Sequence, residues 1–234
     1  MTLTNGGFEN GMENWTPWIA RADDPNGGQP EFNIETEAMS ANLASRRSGA
    51  GGLRIKSSWF CWWAGVYQQI RVVPSSKIRL SAWGKPWATD RANEFPKYHN
   101  PNVRVWVTVG IDTQGGTDPL NSGVRWKKIY IGLGEKEFDG FAYTHWTQAV
   151  TDGVAQSNMV TLFAGMDLGG QSEEPPASMW AQPAMVGFLD DVVVAIGLPG
   201  DEIPPPIPPS GNNAVGAFLR WNGTTYKVEL PISN

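Results

Sequence analysis

Sulfur and imidazole are scarce in this chain of 234 residues, which has one cysteine, Cys61, and two histidines, His99 and His145. A single cysteine excludes an internal disulfide, and so few soft ligands disfavour a structural zinc site. Charge is sparse as well: 18% of residues are Asp, Glu, Lys or Arg, and the net charge is −5. Neutralising a phosphate backbone needs a basic excess, so nucleic acid is not an expected partner. No run of 18 apolar residues occurs, so membrane insertion is not expected, and MTLTNGGFENG at the N-terminus lacks the basic and apolar segments of a signal peptide. The chain reads as soluble, without an export signal of its own. HExxH, GxSxG and a glycine-rich phosphate loop are also missing. Paired carboxylates can cleave glycosides, but their separation is not written in a sequence. A non-enzyme is expected.

What is abundant is glycine (27), proline (18) and tryptophan (12). The first two suit short strands joined by tight turns, and the third exceeds what a core of this size needs. From Val103 to Ile111, valine and isoleucine alternate with Arg104, Trp106, Thr108 and Gly110, which gives one core face and one other face. Val66, Ile70 and Val72 alternate with Tyr67, Gln69 and Arg71, and Ile78, Leu80 and Ala82 alternate with Arg79, Ser81, Trp83 and Lys85. Further strands are expected near 15–20, 32–37, 53–58, 124–131, 143–151, 158–167 and 186–196. About ten strands suit two packed sheets. Long turn-rich insertions at 21–31, 84–102 and 169–183 carry Trp87 and Trp180 among their aromatics. DEIPPPIPPS at 201–210 predicts an extended polyproline segment reaching on the order of 30 Å. After it, Asn222-Gly223 between AFLRW and TTYKV signals a two-residue hairpin turn.

Three motifs in order, NGGFENGMENW at 5–15, GVYQQIRVVP at 65–74 followed by KIRLSAWGK, and FLDDVVV at 188–194, make residues 3 to 197 resemble a known family. These are the jelly-roll carbohydrate-binding modules of the galactose-binding-like superfamily, appended to xylanases and cellulases. The resemblance implies an all-β, two-sheet jelly-roll β-sandwich over 1–198, and the proline run and Asn222-Gly223 turn add a proline-rich linker at 199–213 and a β-hairpin tail at 214–234. It also implies a non-catalytic protein and a structural calcium ion between the N-terminal motif and the last strand. Glu9 and Asp190 would be the side-chain ligands, with Asp191 the nearest competitor. Calcium takes six to eight oxygens, which two carboxylates and turn carbonyls can supply. The alternative is that these acids only cap turns and face solvent. The acidic turn from Asp112 to Asp118 reads as a hairpin connection.

Sugars present flat C–H faces rimmed by hydroxyls, so a sugar site needs rigid aromatic plates beside polar groups. Tyr67, Gln69, Trp83, Arg104 and Trp106 share the off-core parity of three strands, and Trp87 and Trp180 add loop aromatics. Either this face binds a polysaccharide or cell-surface glycan, or a loop or tail covers it with arginines stacked on tryptophans. Trp15, Trp126 and Trp146 read as core, WFCWW at 59–63 mixes both faces, and Cys61 reads as an inert small hydrophobe. In the hairpin, Leu219, Trp221, Tyr226 and Val228 share an apolar face, with Phe218 on the other side, and a bare two-stranded hairpin is marginal in water. The tail is therefore expected to dock, onto a second copy in a homo-oligomer or onto other virion proteins. Two readings follow: a glycan-binding protein acting at an extracellular or particle surface, or a phage virion structural subunit using the jelly roll for assembly.

Overall fold

The alternating segments of the sequence assemble into two antiparallel sheets of five strands, seen in a computed structural model that describes residues 3–36, 46–89, 105–131, 137–138, 141–142, 146–169, 184–201, 203, 217–221 and 224–228. The strands are β1 (Thr16–Ala22), β2 (Glu31–Glu35), β3 (Gly52–Ser57), β4 (Trp62–Arg71), β5 (Lys77–Thr89), β6 (Val105–Asp112) and β7 (Val124–Tyr130). They continue with β8 (Glu137–Phe138), β9 (Phe141–Ala142), β10 (Thr147–Val154), β11 (Met159–Leu168), β12 (Ala184–Gly197), β13 (Ala217–Trp221) and β14 (Thr224–Val228). The first sheet has the order β1-β4-β11-β6-β7 and the second β10-β5-β12-β3-β2. The chain is an all-β protein with the two-sheet jelly-roll sandwich fold, and no helix occurs among the described residues. β5 runs to Thr89, further than the alternation indicated, because it pairs along its length with the 14-residue β12.

Between the sheets lie Trp62, Ala64, Val66 and Ile70 of β4, Val107, Val109 and Ile111 of β6, and Leu162, Met166 and Leu168 of β11. Leu53, Ile55, Ile78, Leu80 and Leu189 meet them from the second sheet. Each such side chain contributes roughly 1.5–3 kcal/mol when removed from water. The N-terminal motif closes one end of this core. The side-chain amide of Asn5 donates to the carbonyls of Gly11 and Glu13, and its oxygen accepts from the Asn10 N–H, which folds the turn so that Phe8 is fully buried. Trp15 packs on Phe8 at 5.6 Å and donates from Nε1 to the Asn5 carbonyl, so the expectation of a core Trp15 holds. Gln68 reaches the same turn, accepting from the Thr4 N–H and donating to the carbonyls of Thr4 and Asn14.

Three of the four edge strands carry residues that disfavour pairing with other chains. Pro17 interrupts β1, Glu31 and Glu35 bracket β2, and Arg125, Lys127 and Lys128 lie on β7. β13 pairs with β14, placing Leu219 opposite Tyr226 and Trp221 opposite Thr224.

Candidate functional site

The central strand β11 reveals how the outer face of the first sheet is built. Val160, Leu162, Ala164, Met166 and Leu168 point into the core, yet Thr161, Phe163 and Asp167, which point the other way, are buried too. Register explains the cover. Tyr67, Phe163, Gly110 and Trp126 form one row across β4, β11, β6 and β7. Gly65, Gly165, Thr108 and Lys128 form the next, and Trp63, Asp167, Trp106 and Tyr130 the third. The glycines leave the sheet bare, so indoles come down close onto its backbone. A Cβ at Gly65 or Gly165 would stand 2.8 or 2.7 Å from Cζ2 of Trp18, and one at Gly110 would stand 2.8 Å from the Trp126 ring.

Trp18 is thus only 5% exposed, and its ring lies 5.3 Å from Trp126, 5.8 Å from Trp63 and 6.1 Å from Phe163. Its indole N–H has no partner among the described residues. Above this floor Trp63, Tyr67, Trp106 and Trp126 are half-buried, and Tyr130, 5.6 Å from Trp106, is 44% exposed. One polar network crosses the aromatics. Asp167 accepts from Arg21 Nη2 at 2.8 Å through Oδ1 and from Lys128 Nζ at 2.8 Å through Oδ2. Arg21 also meets Asp23 at 3.2 Å, and the Lys128 ammonium sits 3.7 Å above the Trp63 ring centroid. Trp63 donates to Thr108 Oγ1 at 3.3 Å. The face therefore combines apolar plates with fixed donors and acceptors, the groups a sugar ring requires.

The expected sugar-site residues divide between two surfaces. Tyr67 and Trp106 lie on this face, with Gln69 one row beyond, its amide donating to the Gly115 carbonyl at 2.7 Å. Trp83 is off-core as its parity indicated, but β5 belongs to the second sheet, so it faces the opposite side with the Arg47 guanidinium 4.0 Å over its ring. Arg79, on the same side as Trp83, pairs with Asp152. Trp87 lies in β5 without a described side chain, and Arg104 and Trp180 lie outside the described residues, as do the side chains of Phe218, Leu219, Trp221, Tyr226 and Val228. Two core expectations need correction. Trp126 belongs to the outer face because Val124 and Trp126 lie on the parity opposite to Ile129, and Trp146 packs on Val186 and Phe188 outside the main core. Cys61 is buried, and burial pushes its thiol up to about 11, in keeping with an inert hydrophobe. Trp18, Trp63, Arg21, Lys128 and Asp167 escaped the sequence reading. Trp63 shares the parity of Tyr67 and Gln69 in β4, and that periodicity was the available signal.

Glu9 and Asp190, the residues expected to hold calcium, both lie beside Gly7. Glu9 Oε2 accepts from the Ala50 N–H at 2.7 Å, and the buried Asp190 accepts from the N–H groups of Arg47, Ser48 and Asp191. A Cβ at Gly7 would lie 3.3 Å from Glu9 Oε1 and 3.9 Å from Asp190 Oδ1, so both carboxylates border a space that any larger residue would fill. Burial, then the neighbouring Asp191, pushes the Asp190 carboxyl up to about 7. Asp191 itself turns to Arg47 and to Ser48 Oγ, so it is engaged elsewhere. Among the described residues no cluster of three acidic, histidine or cysteine side chains occurs, and an ion here would need backbone carbonyls beside Glu9 and Asp190. In the Asp112 turn, Oδ1 accepts from the N–H groups of Gln114 and Gly115, which makes it a closed connection.

No family model matches the chain, and no curated protein matches it. Among solved structures it is similar to TmCBM61 in complex with β-1,4-galactotriose, at 12% identity and a TM-score of 0.48, over 82% of this chain and 96% of that one. It is similar to the CBM22-1 xylan-binding domain of Paenibacillus barcinonensis Xyn10C, at 12% identity and a TM-score of 0.39, over 82% and 91% of the two chains. The enzymatically active domain of bacteriophage CBA120 tailspike protein 4 matches at 8% identity and a TM-score of 0.48, over 83% of this chain and 21% of that one. At these values the likeness concerns the course of the chain, and the face described above must speak for the ligand.

Proposed function

We propose that the chain is a non-catalytic glycan-binding module whose site is the outer face of the first sheet. The observation that carries this reading is the partly open aromatic surface of Trp63, Trp106, Trp126 and Tyr130 around the Arg21–Asp167–Lys128 network. Ring faces supply a dry surface for sugar C–H groups, while the Lys128 ammonium supplies hydrogen-bond donors beside it. Binding rather than hydrolysis suits the site, because each oxygen of Asp167 is already held by a cation and neither is left to move a proton. Trp63→Ala and Trp106→Ala should each weaken binding at least about tenfold with cooperative unfolding retained, whereas Trp83→Ala on the opposite face should leave affinity within about twofold. β-1,4-Galactan and xylan oligosaccharides are suitable first ligands. Equal losses in all three variants, or no binding across a broad glycan array, would remove the reading.

A structural calcium ion held by Glu9 and Asp190 belongs to the same proposal. It would neutralise the buried Asp190 carboxylate and tie the N-terminal turn to β12. A ligand at a hundredfold excess over its Kd adds about 2.7 kcal/mol to the folded state. Chelator should therefore lower the Tm of the wild type by several degrees and leave that of Glu9→Ala nearly unchanged; no response in the wild type would exclude the ion.

A further inference from the structure

We infer that the aromatic face takes an acidic glycan, a chain whose sugars carry carboxylate or sulfate groups, with Lys128 as the residue that determines this preference. The inference rests on the glycan-binding reading above and adds the ligand class. Burial sorts the charges of this face by sign. The Asp167 side chain is 6% exposed, whereas Lys128, bonded to it, is 36% exposed, so a ligand arriving from solvent meets the cation and not the acid beneath. Asp112, on the same face of β6, is buried and spent on its turn. Of the carboxylates nearby, Asp23 lies against Arg21, and Asp118, bonded to the Leu120 N–H, keeps its charge in the connection between β6 and β7.

The cations are not offset in the same way. On β7 the outward parity of Val124, Trp126 and Tyr130 carries Lys128 and no acidic residue, while Arg125 and Lys127 share the parity of Ile129 and leave the strand on its other side. The exposed Arg71 of β4, on the outward parity of Trp63 and Tyr67, has no ion pair among the described residues. Arg71 lies six residues along β4 from Gly65, the residue in the Lys128 row, which places it roughly 20 Å away at about 3.3 Å per residue. The whole chain carries −5, so exposed cations on this face run against its composition. Clefts lined by one sign of charge steer and select ligands of the other.

Lys128 couples this charge to stacking. Its ammonium covers one face of Trp63, where a sugar ring would otherwise lie, held there by a cation–π contact and by its hydrogen bond to Asp167. A sugar that stacks on Trp63 displaces the ammonium to the ring's edge, and Asp167 stays paired with Arg21 meanwhile. A neutral sugar gains little from the displaced cation. A uronate or sulfated sugar receives a charge-assisted hydrogen bond from it.

The test measures affinity of the full chain for oligogalacturonate, a sulfated galactan oligosaccharide and a neutral galactan oligosaccharide of equal length, with polyglutamate as a polyanion lacking sugar rings. At about 20 mM salt, one or both acidic glycans should bind about tenfold more tightly than the neutral one, and the ratio should shrink to about twofold at 0.5 M salt. The two acidic arms tell carboxylate from sulfate as the preferred anion. Lys128→Gln should remove most of the ratio, whereas a merely structural lysine would change stability and leave the ratio intact. Should that variant fail to fold, Lys128→Met, which keeps an apolar stem over Trp63 and removes the charge, reads the same ammonium and should likewise remove most of the ratio. Equal affinity for neutral and acidic glycans, or equal binding of polyglutamate, overturns the inference while the glycan-binding reading stands. Failure of all three oligosaccharides to bind defeats that reading itself.

Discussion

Lys85 lies on the outer side of β5 opposite Phe188, and burial pulls its ammonium down to about 8 from an ordinary 10.5. The folded state therefore holds this proton less tightly than the unfolded chain does. Its contribution to stability is fully present above pH 10.5 and is lost as pH falls to about 8, below which no further change is due to it. Denaturant unfolding of Lys85→Met should show a flatter profile over that window and, at neutral pH, a gain of order 1–3 kcal/mol. A wild-type profile without a rise between pH 8 and 10 would contradict the assignment. Single residues also show how far parity can be read. Tyr67, Trp83 and Trp106 were all legible as off-core, because alternation against valine, isoleucine and leucine tells inside from outside. Nothing in that alternation tells which of two sheets a strand joins, so Trp83 could not be separated from the other two.

Strand by strand, the aromatic face depends on residues without side chains. Gly65 of β4 and Gly165 of β11 stand opposite each other, and Trp18 from β1 fills the space they leave. Gly165→Val should drive the indole off the sheet and cost about 2 kcal/mol or more, through overpacking and exposure of Trp18. A lower denaturant midpoint with red-shifted tryptophan emission is the expected result. An unchanged midpoint would mean that the indole does not rest there. Glycine in a strand usually signals a weak position or a bulge, so GVYQQ and FAGMD gave no sequence hint of a tryptophan seat. The seat exists only because β4, β11 and β6 come together in register, and the β4–β11 contact joins segments about a hundred residues apart.

At the scale of the whole chain, the sandwich closes without the C-terminal hairpin. β13 and β14 pair with each other and, among the described residues, with no strand of the two large sheets. A chain ending at Gly200 should therefore keep its Tm within about 2 °C, and comparing its sedimentation with that of the full chain reads the tail's expected part in assembly. A fall of 10 °C would show that the tail belongs to the sandwich. Strand positions, the all-β class and the pairing of β13 with β14 were open to reading because they follow from local causes: period-two alternation, turn residues and backbone torsion limits. The composition of the aromatic face was not. Which strands become neighbours depends on long-range pairing, and only that pairing sets Lys128 over Trp63, places Asp167 between two cations and sends Trp83 to the far side. Burial then acts on the assembled charges, hiding the acid and leaving the cation outside, and no local pattern in the chain encodes that order.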